Sequence, residues 1–247
     1  VGSKIERYQE ALREMEKWEP FLLEESGLPG RRANLELAHA VAEEGDAALF
    51  GRLRRFDAEQ APTNSPQEFL AFCGVLGLGR LLAEGEWDLL QTVRRHASDG
   101  RWRIREAVAM ALQRFGRADM DALLKAMAEW SLGNPLEQRA AAAALCEPGL
   151  LGKEAHVEKV FQVLDGIMAS VEGTGERRSE GFRALRKGMG YCWSVAVAAM
   201  PDAGKVRMER WFASEDRDVR WIMKENLRKK RVARMDARWV EAWRSRL

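Results

Sequence analysis

The sequence predicts an all-α protein, a right-handed α–α superhelix of about six stacked helix pairs, and three observations carry that expectation. Apolar residues recur at three- and four-residue intervals in segment after segment, the spacing that lines one face of a helix. No stretch alternates with the two-residue period of a half-buried strand. One helix–turn–helix pattern also occurs twice. Ala97-Ser98-Asp99 leads into Arg103-Ile104-Arg105, with Leu112 seven residues after that last arginine, and Ala213-Ser214-Glu215 leads into Asp218-Val219-Arg220, with Leu227 again seven residues on.

A polar turn, a small or acidic residue, a β-branched residue, arginine, and leucine two turns later is the pattern of a HEAT-type helix pair. Such a pair cannot bury its apolar face alone, and stacking pairs builds a shared core with an extended concave face. The elements follow in order. Residues 4–17 place Ile5, Tyr8, Leu12 and Met15 on one helical face. A short helix begins at Pro20, before the breaker Gly27-Leu28-Pro29-Gly30. Residues 31–44 and 46–56 pair around Gly45, with Asp46 as an N-cap. Ser65-Pro66-Gln67-Glu68 combines a capping serine, a first-turn proline and a glutamate placed to close a capping box.

The helix that starts there runs to Ala83 and carries Gly74, Gly77 and Gly79, positions for close approach of a neighbouring helix or a ligand. Helices over 86–97, 101–115, 119–132, 136–146, 154–171, 178–199, 201–212, 216–230 and 236–244 complete the chain. The expectation is one domain over 1–247: N-terminal helices in 1–64, core repeats in 65–230 and a C-terminal capping helix in 231–247. Trp239 and Trp243 on that last helix fit either an inward cap or a docking site.

No apolar stretch is long enough to cross a bilayer, and the start Val1-Gly2-Ser3-Lys4 carries no apolar leader, so a cytoplasmic protein without membrane association is expected. Cys73, Cys146 and Cys192 are odd in number and far apart, which points to buried thiols rather than a disulfide framework or zinc site. The net charge of +2 hides an asymmetry: residues 177–247 carry 19 Lys and Arg against 9 Asp and Glu, so +10 there offsets −8 in the remainder. A basic C-terminal third beside an acidic remainder points to a polyanion-facing surface.

Phosphate-binding glycine loops, Gly-x-Ser-x-Gly and His-Glu-x-x-His are absent from the sequence. His39, His96 and His156 fall on separate predicted helices. No catalytic residue, metal site or cofactor is therefore assigned. Two stretches stand out. Trp102 and Arg105 share one face at a helix start, and residues 182–194 place Arg183, Arg186, Lys187, Gly188, Gly190, Tyr191 and Trp193 on one helix. Basic side chains neutralise phosphate, and aromatic rings stack on bases or sugars.

In combination these stretches resemble the HEAT-like alkylpurine DNA glycosylases of the bacterial DNA alkylation-repair type, all-helical solenoids that hold duplex DNA in a basic concave cleft. The resemblance spans roughly residues 66–230. It is carried by Trp102-x-x-Arg105-x-Ala107, similar to the family's Trp-x-x-Arg-x-Ala helix start, and by Lys187-x-x-Gly190-Tyr191, similar to its Lys-x-x-Gly-Trp stretch. It implies that Arg105 is a cleft arginine and that Tyr191 replaces a tryptophan lining the lesion site. The family's catalytic aspartate lies on the preceding helix. Here that stretch, residues 69–77, holds no carboxylate, and the nearest acid in the helix is Glu68 at its start.

The resulting expectation is a non-catalytic HEAT-like module. It would contact duplex DNA or another polyanion through Trp102, Arg105, Arg183, Arg186, Lys187, Tyr191, Arg220 and Lys224. Two alternatives stand beside it. One is an alkylpurine DNA glycosylase with a relocated carboxylate. The other is a protein-interaction scaffold whose acidic and basic parts meet different protein partners.

Overall fold

The computed structural model describes residues 3–246. Val1, Gly2 and Leu247 lie outside the described residues. Every regular element among the described residues is helical, as the sequence predicts. The chain divides into two compact units, one ending at Ala118 and the other beginning at Asp119.

The first unit is built around one buried helix. Its elements are α1 (Lys4–Arg13), α2 (Glu19–Glu24), α3 (Leu35–Glu44), α4 (Ala47–Leu53), α5 (Pro66–Ala83), a 3-10 turn (Trp87–Leu89), α6 (Leu90–Ala97) and α7 (Trp102–Ala118). Helix α5 is apolar all round and packs against α2, α3, α4 and α7. Its glycines face neighbouring protein. A Cβ on Gly74 would lie 2.4 Å from the Arg54 backbone nitrogen, one on Gly77 2.3 Å from the Phe50 ring, and one on Gly79 2.5 Å from Ala111 Cα. Of the two roles open to these glycines, helix approach is the one observed.

Several boundaries move. Helix α1 stops at Arg13, not residue 17, and the Leu12 carbonyl accepts from Met15 N (3.2 Å) and from the Trp18 indole N–H (2.9 Å). Residues 31–34 are not helical, because Asn34 is the N-cap of α3 and its side chain accepts from Leu37 N. The box at Ser65 is open. Ser65 Oγ accepts from Glu68 N (3.2 Å), but the Glu68 carboxylate reaches back one residue further, to Asn64 N (2.7 Å).

The second unit holds α8 (Met120–Trp130), α9 (Pro135–Leu145), a 3-10 turn (Pro148–Leu150), α10 (Glu154–Gly173), α11 (Glu180–Ala199), α12 (Pro201–Phe212), α13 (Arg217–Leu227), α14 (Lys230–Met235) and α15 (Ala237–Arg244). Helix α11 lies between α9 and α13 in one row, with α10 and α12 packed behind it. Phe161 of α10 stacks on Trp193 of α11, ring centroids 5.8 Å apart.

The short helix α14 is a separate element between the helices that the sequence predicts over 216–230 and 236–244, and α13 ends earlier than predicted, at Leu227. Trp239 and Trp243 form an inward cap: both rings lie against Phe212 (5.7 and 4.7 Å), and both indole N–H groups donate to Glu209 Oε1 (2.7 and 3.3 Å). Cys73, Cys146 and Cys192 are buried free thiols, and burial pushes those of Cys73 and Cys146 up.

Two glycine substitutions test this packing in opposite directions. In Gly79→Ala the new methyl meets helix backbone, which has little room to yield, so a loss of about 1–3 kcal/mol is expected in chemical denaturation. Gly166, inside α10, has nothing within 4 Å of its added Cβ, so Gly166→Ala should gain about 0.5–1 kcal/mol. Equal effects at the two sites would contradict the assigned contact between α5 and α7.

Candidate nucleic-acid interface

The row of α11 and α13 is fixed by capping and by one buried amide. Ser179 caps α11 by accepting from Phe182 N (3.1 Å), and Asp216 caps α13 by accepting from Asp218 N (2.9 Å) and Val219 N (3.0 Å). Asn226, wholly buried on α13, accepts from Ser194 N (2.8 Å) and donates to Met189 O (2.8 Å). Both partners belong to α11. Gly190 permits the approach, since a Cβ there would lie 3.1 Å from the Trp221 ring.

Arg183, Lys187 and Tyr191 recur every four residues and form one exposed stripe of α11. No ion pair of the described residues engages Arg183, Lys187 or Lys224. Tyr191 accepts a hydrogen bond from the Arg231 guanidinium, which also lies 4.9 Å from its ring centroid. On the adjoining row, half-buried Arg186 stacks 3.8 Å from the Trp221 centroid and sets its Nε 2.7 Å from Asp218 Oδ1.

The second Asp218 oxygen pairs with Arg177 Nη1 (2.7 Å), and Arg177 Nη2 reaches Asp216 Oδ2 (2.6 Å). Hydrogen bonds to Asp216, then to Asp218, hold the Arg177 guanidinium above its ordinary range. Burial pushes the Asp216 carboxyl up, but Arg177 and the N–H groups of Val219 and Asp218 outweigh it and leave it below the usual carboxylate range.

These residues open a cleft of about 660 Å³ lined by Arg177, Arg183, Arg186, Arg217, Arg220 and Lys224, with Phe182, Trp221, Glu215 and Asp218. Six cations face two carboxylates. The fold therefore brings Arg183, Arg186, Arg220 and Lys224 to one cleft, with Lys187 and Tyr191 continuing the α11 stripe. Reading the sequence missed Arg177, Arg217, Asp218 and Trp221 of the cleft, and Arg231 against Tyr191. The visible signal was the run of basic residues from Arg217 to Arg231 around the single aromatic Trp221.

Trp102 and Arg105 lie in the first unit. Trp102 is 47% exposed, with the Arg103 guanidinium 4.4 Å from its ring. Arg105 is only 7% exposed and its Nη1 donates to the carbonyls of Asp99 (2.6 Å) and Gly100 (2.9 Å), so it closes its own turn. Glu68 is fully buried, accepting from Arg103 Nη1 (3.1 Å) as well as from Asn64 N. No other carboxylate stands on α5. Among the described residues no cluster of His, Cys, Asp or Glu could hold a metal ion, and no helix is long and apolar enough to cross a membrane.

No protein-family model and no curated protein matches the sequence. Among solved structures, AlkD2 from Streptococcus mutans is similar with a TM-score of 0.57 and 18% identity, over 91% of this chain and 96% of its own. An engineered protein aligns over 98% of both chains at 14% identity, with a TM-score of 0.37 that bears no weight. The chain has the fold of AlkD2, the HEAT-like all-α repeat fold that the Trp102–Ala107 and Lys187–Tyr191 stretches imply.

The Glu68–Arg103 pair makes a stability test. Removing one partner of a buried pair strands the other charge, so Arg103→Leu should cost about 3–5 kcal/mol. Adding Glu68→Leu should restore part of that loss. Simple additivity of the two single costs would contradict the pairing.

Proposed function

We propose that the chain is a HEAT-like binding module that holds the phosphodiester backbone of a nucleic acid on the α11–α13 row. The observation that carries this reading is the exposed stripe of Arg183 and Lys187, without counter-ions, beside a cleft where six cations face two carboxylates. Arg186 supports it by position. With Asp218 on one side and the Trp221 ring against it, its guanidinium loses little freedom on meeting phosphate. Arg220 and Lys224 extend the same surface along α13. Trp102 remains an exposed indole of the first unit. Arg105 is a turn-closing residue in this reading, since its donors already meet two carbonyls.

Backbone binding of this kind is weakly selective for sequence and falls steeply with salt. Each phosphate contact adds about 0.9 to the slope of log affinity against log salt. Replacing Arg183 and Lys187 together by glutamate should weaken binding of a labelled duplex and flatten that slope by about 1.8. Lys125→Glu with Lys153→Glu makes the same charge change away from the row and should have far less effect. Equal losses from the two double variants in an anisotropy titration would overturn the assignment.

The fold shared with AlkD2 favours a second reading, an alkylpurine DNA glycosylase. Against it, the only carboxylate of α5 is buried and neutralised by Arg103, so it offers no anion to a developing oxocarbenium ion. Chromatography of alkylated duplex DNA after incubation with the chain should show no methylated base above the buffer control; enzyme-dependent release would reverse the ranking.

A further inference from the structure

The first unit carries a basic cluster that the α11–α13 row does not include. Arg101, almost fully buried, stitches two turns together. Its Nη1 donates to the carbonyls of Phe56 (3.0 Å), Asp57 (3.1 Å) and Ala61 (3.1 Å), all after α4, while Nε and Nη2 engage both oxygens of Asp99 after α6 (2.9 and 2.7 Å). The C-terminal ends of α4 and α6 are thereby brought to the same edge of the unit. Arg54 and Arg55 leave the end of α4, and Arg95 and His96 occupy the last turn of α6.

Both turns carry acids. Asp99 is engaged by Arg101, and Asp57 Oδ1 accepts from the backbone of Glu59 and Gln60 (both 2.9 Å). No ion pair of the described residues engages Arg54, Arg55 or Arg95. Burial, then Arg55 and Arg95, push the half-buried Arg54 guanidinium below its ordinary range. Burial, then Arg54, Arg101 and Arg95, push the His96 imidazole down, with Asp99 alone opposing. A helix dipole accounts for cations at each C-terminus taken separately. It does not account for two helix ends converging cations, Arg54, Arg55 and Arg95, that no ion pair of the described residues engages, an arrangement that a polyanion would relieve.

We propose that Arg54, Arg55, Arg95 and His96 form a second anion-binding surface, taking the phosphodiester backbone of a nucleic acid. The inference rests on the reading of the chain as a nucleic-acid binder but uses different residues, in the other unit. Exposed Trp102, directly after Arg101, adds an indole at the same turn, which suits a nucleic acid better than an acidic peptide or a lipid headgroup.

The test uses the full chain and a labelled 20-base-pair duplex across a salt series. Arg54→Gln with Arg95→Gln should lower affinity roughly tenfold at moderate salt and reduce the salt slope by about 1.8. In the unmutated chain, the duplex should raise the pKa of His96, followed by imidazole NMR and assigned with His96→Gln, because a nearby phosphate favours the imidazolium. A merely structural role would leave His96 unmoved by duplex. Unchanged affinity and slope in the double variant, or an unmoved His96, overturns the proposal, and so does binding to anionic vesicles without binding to duplex. Loss in this variant, with none from Arg183→Gln and Lys187→Gln, would sustain it while removing the α11–α13 site.

Discussion

The second unit depends on one buried amide. Asn226 spends both halves of its side chain on the backbone of α11, accepting from Ser194 N and donating to Met189 O, while also donating to Ile222 O one turn before it. In a dry interior each of those groups would cost about 1–3 kcal/mol if left unpaired. Sliding α13 along α11 by a turn would orphan the Asn226 Oδ1 and the N–H that meets Met189 O, so the register is strongly specified. From that register follow the contact of Gly190 with Trp221, the stack of Arg186 on the same indole, and the position of Asp218 beside Arg186. The cleft is a consequence of helix registration.

Charge is distributed unequally between the two sides of this unit. On α12, Arg207 pairs with Asp165 (2.7 Å) and with Glu158, and Lys205 pairs with Asp236 (2.6 Å). On the stripe of α11, Arg183 and Lys187 have no such partners. Exposed ion pairs are worth at most about 1 kcal/mol each, so this difference says little about stability. It matters for the field outside the protein. Paired cations cancel at short range, whereas Arg183 and Lys187 attract anions over a Debye length of about 8 Å at physiological salt.

Helix identity was legible in the sequence because 3.6-residue periodicity and capping residues agree there. Ser65-Pro66, Asn134-Pro135 and Asp216 each start a helix where their chemistry places it. Fraying ends and tertiary choices were less legible. Glu68 had the spacing of a capping box, but a buried arginine 35 positions away and the Asn64 N–H claimed it instead. Arg105 matched a motif for a cleft arginine, but local spacing cannot tell an outward guanidinium from one that folds back onto its own turn. Trp221 and Asp218 gained a place beside the α11 stripe only through the Asn226 register, a contact 32 to 37 residues apart. The polar–basic stripe itself could be read directly, since Arg183, Lys187 and Tyr191 fall four apart.

The central claim is that nucleic acid covers the α11–α13 row, and the most direct measurement is lysine footprinting by mass spectrometry. Amine acetylation rates would be compared with and without duplex at low salt. The account predicts strong protection of Lys187 and Lys224, both exposed, while Lys125 and Lys153, also exposed but on other elements of the same unit, keep their rates. Protection of Lys125 and Lys153 with Lys187 and Lys224 still reactive would contradict it.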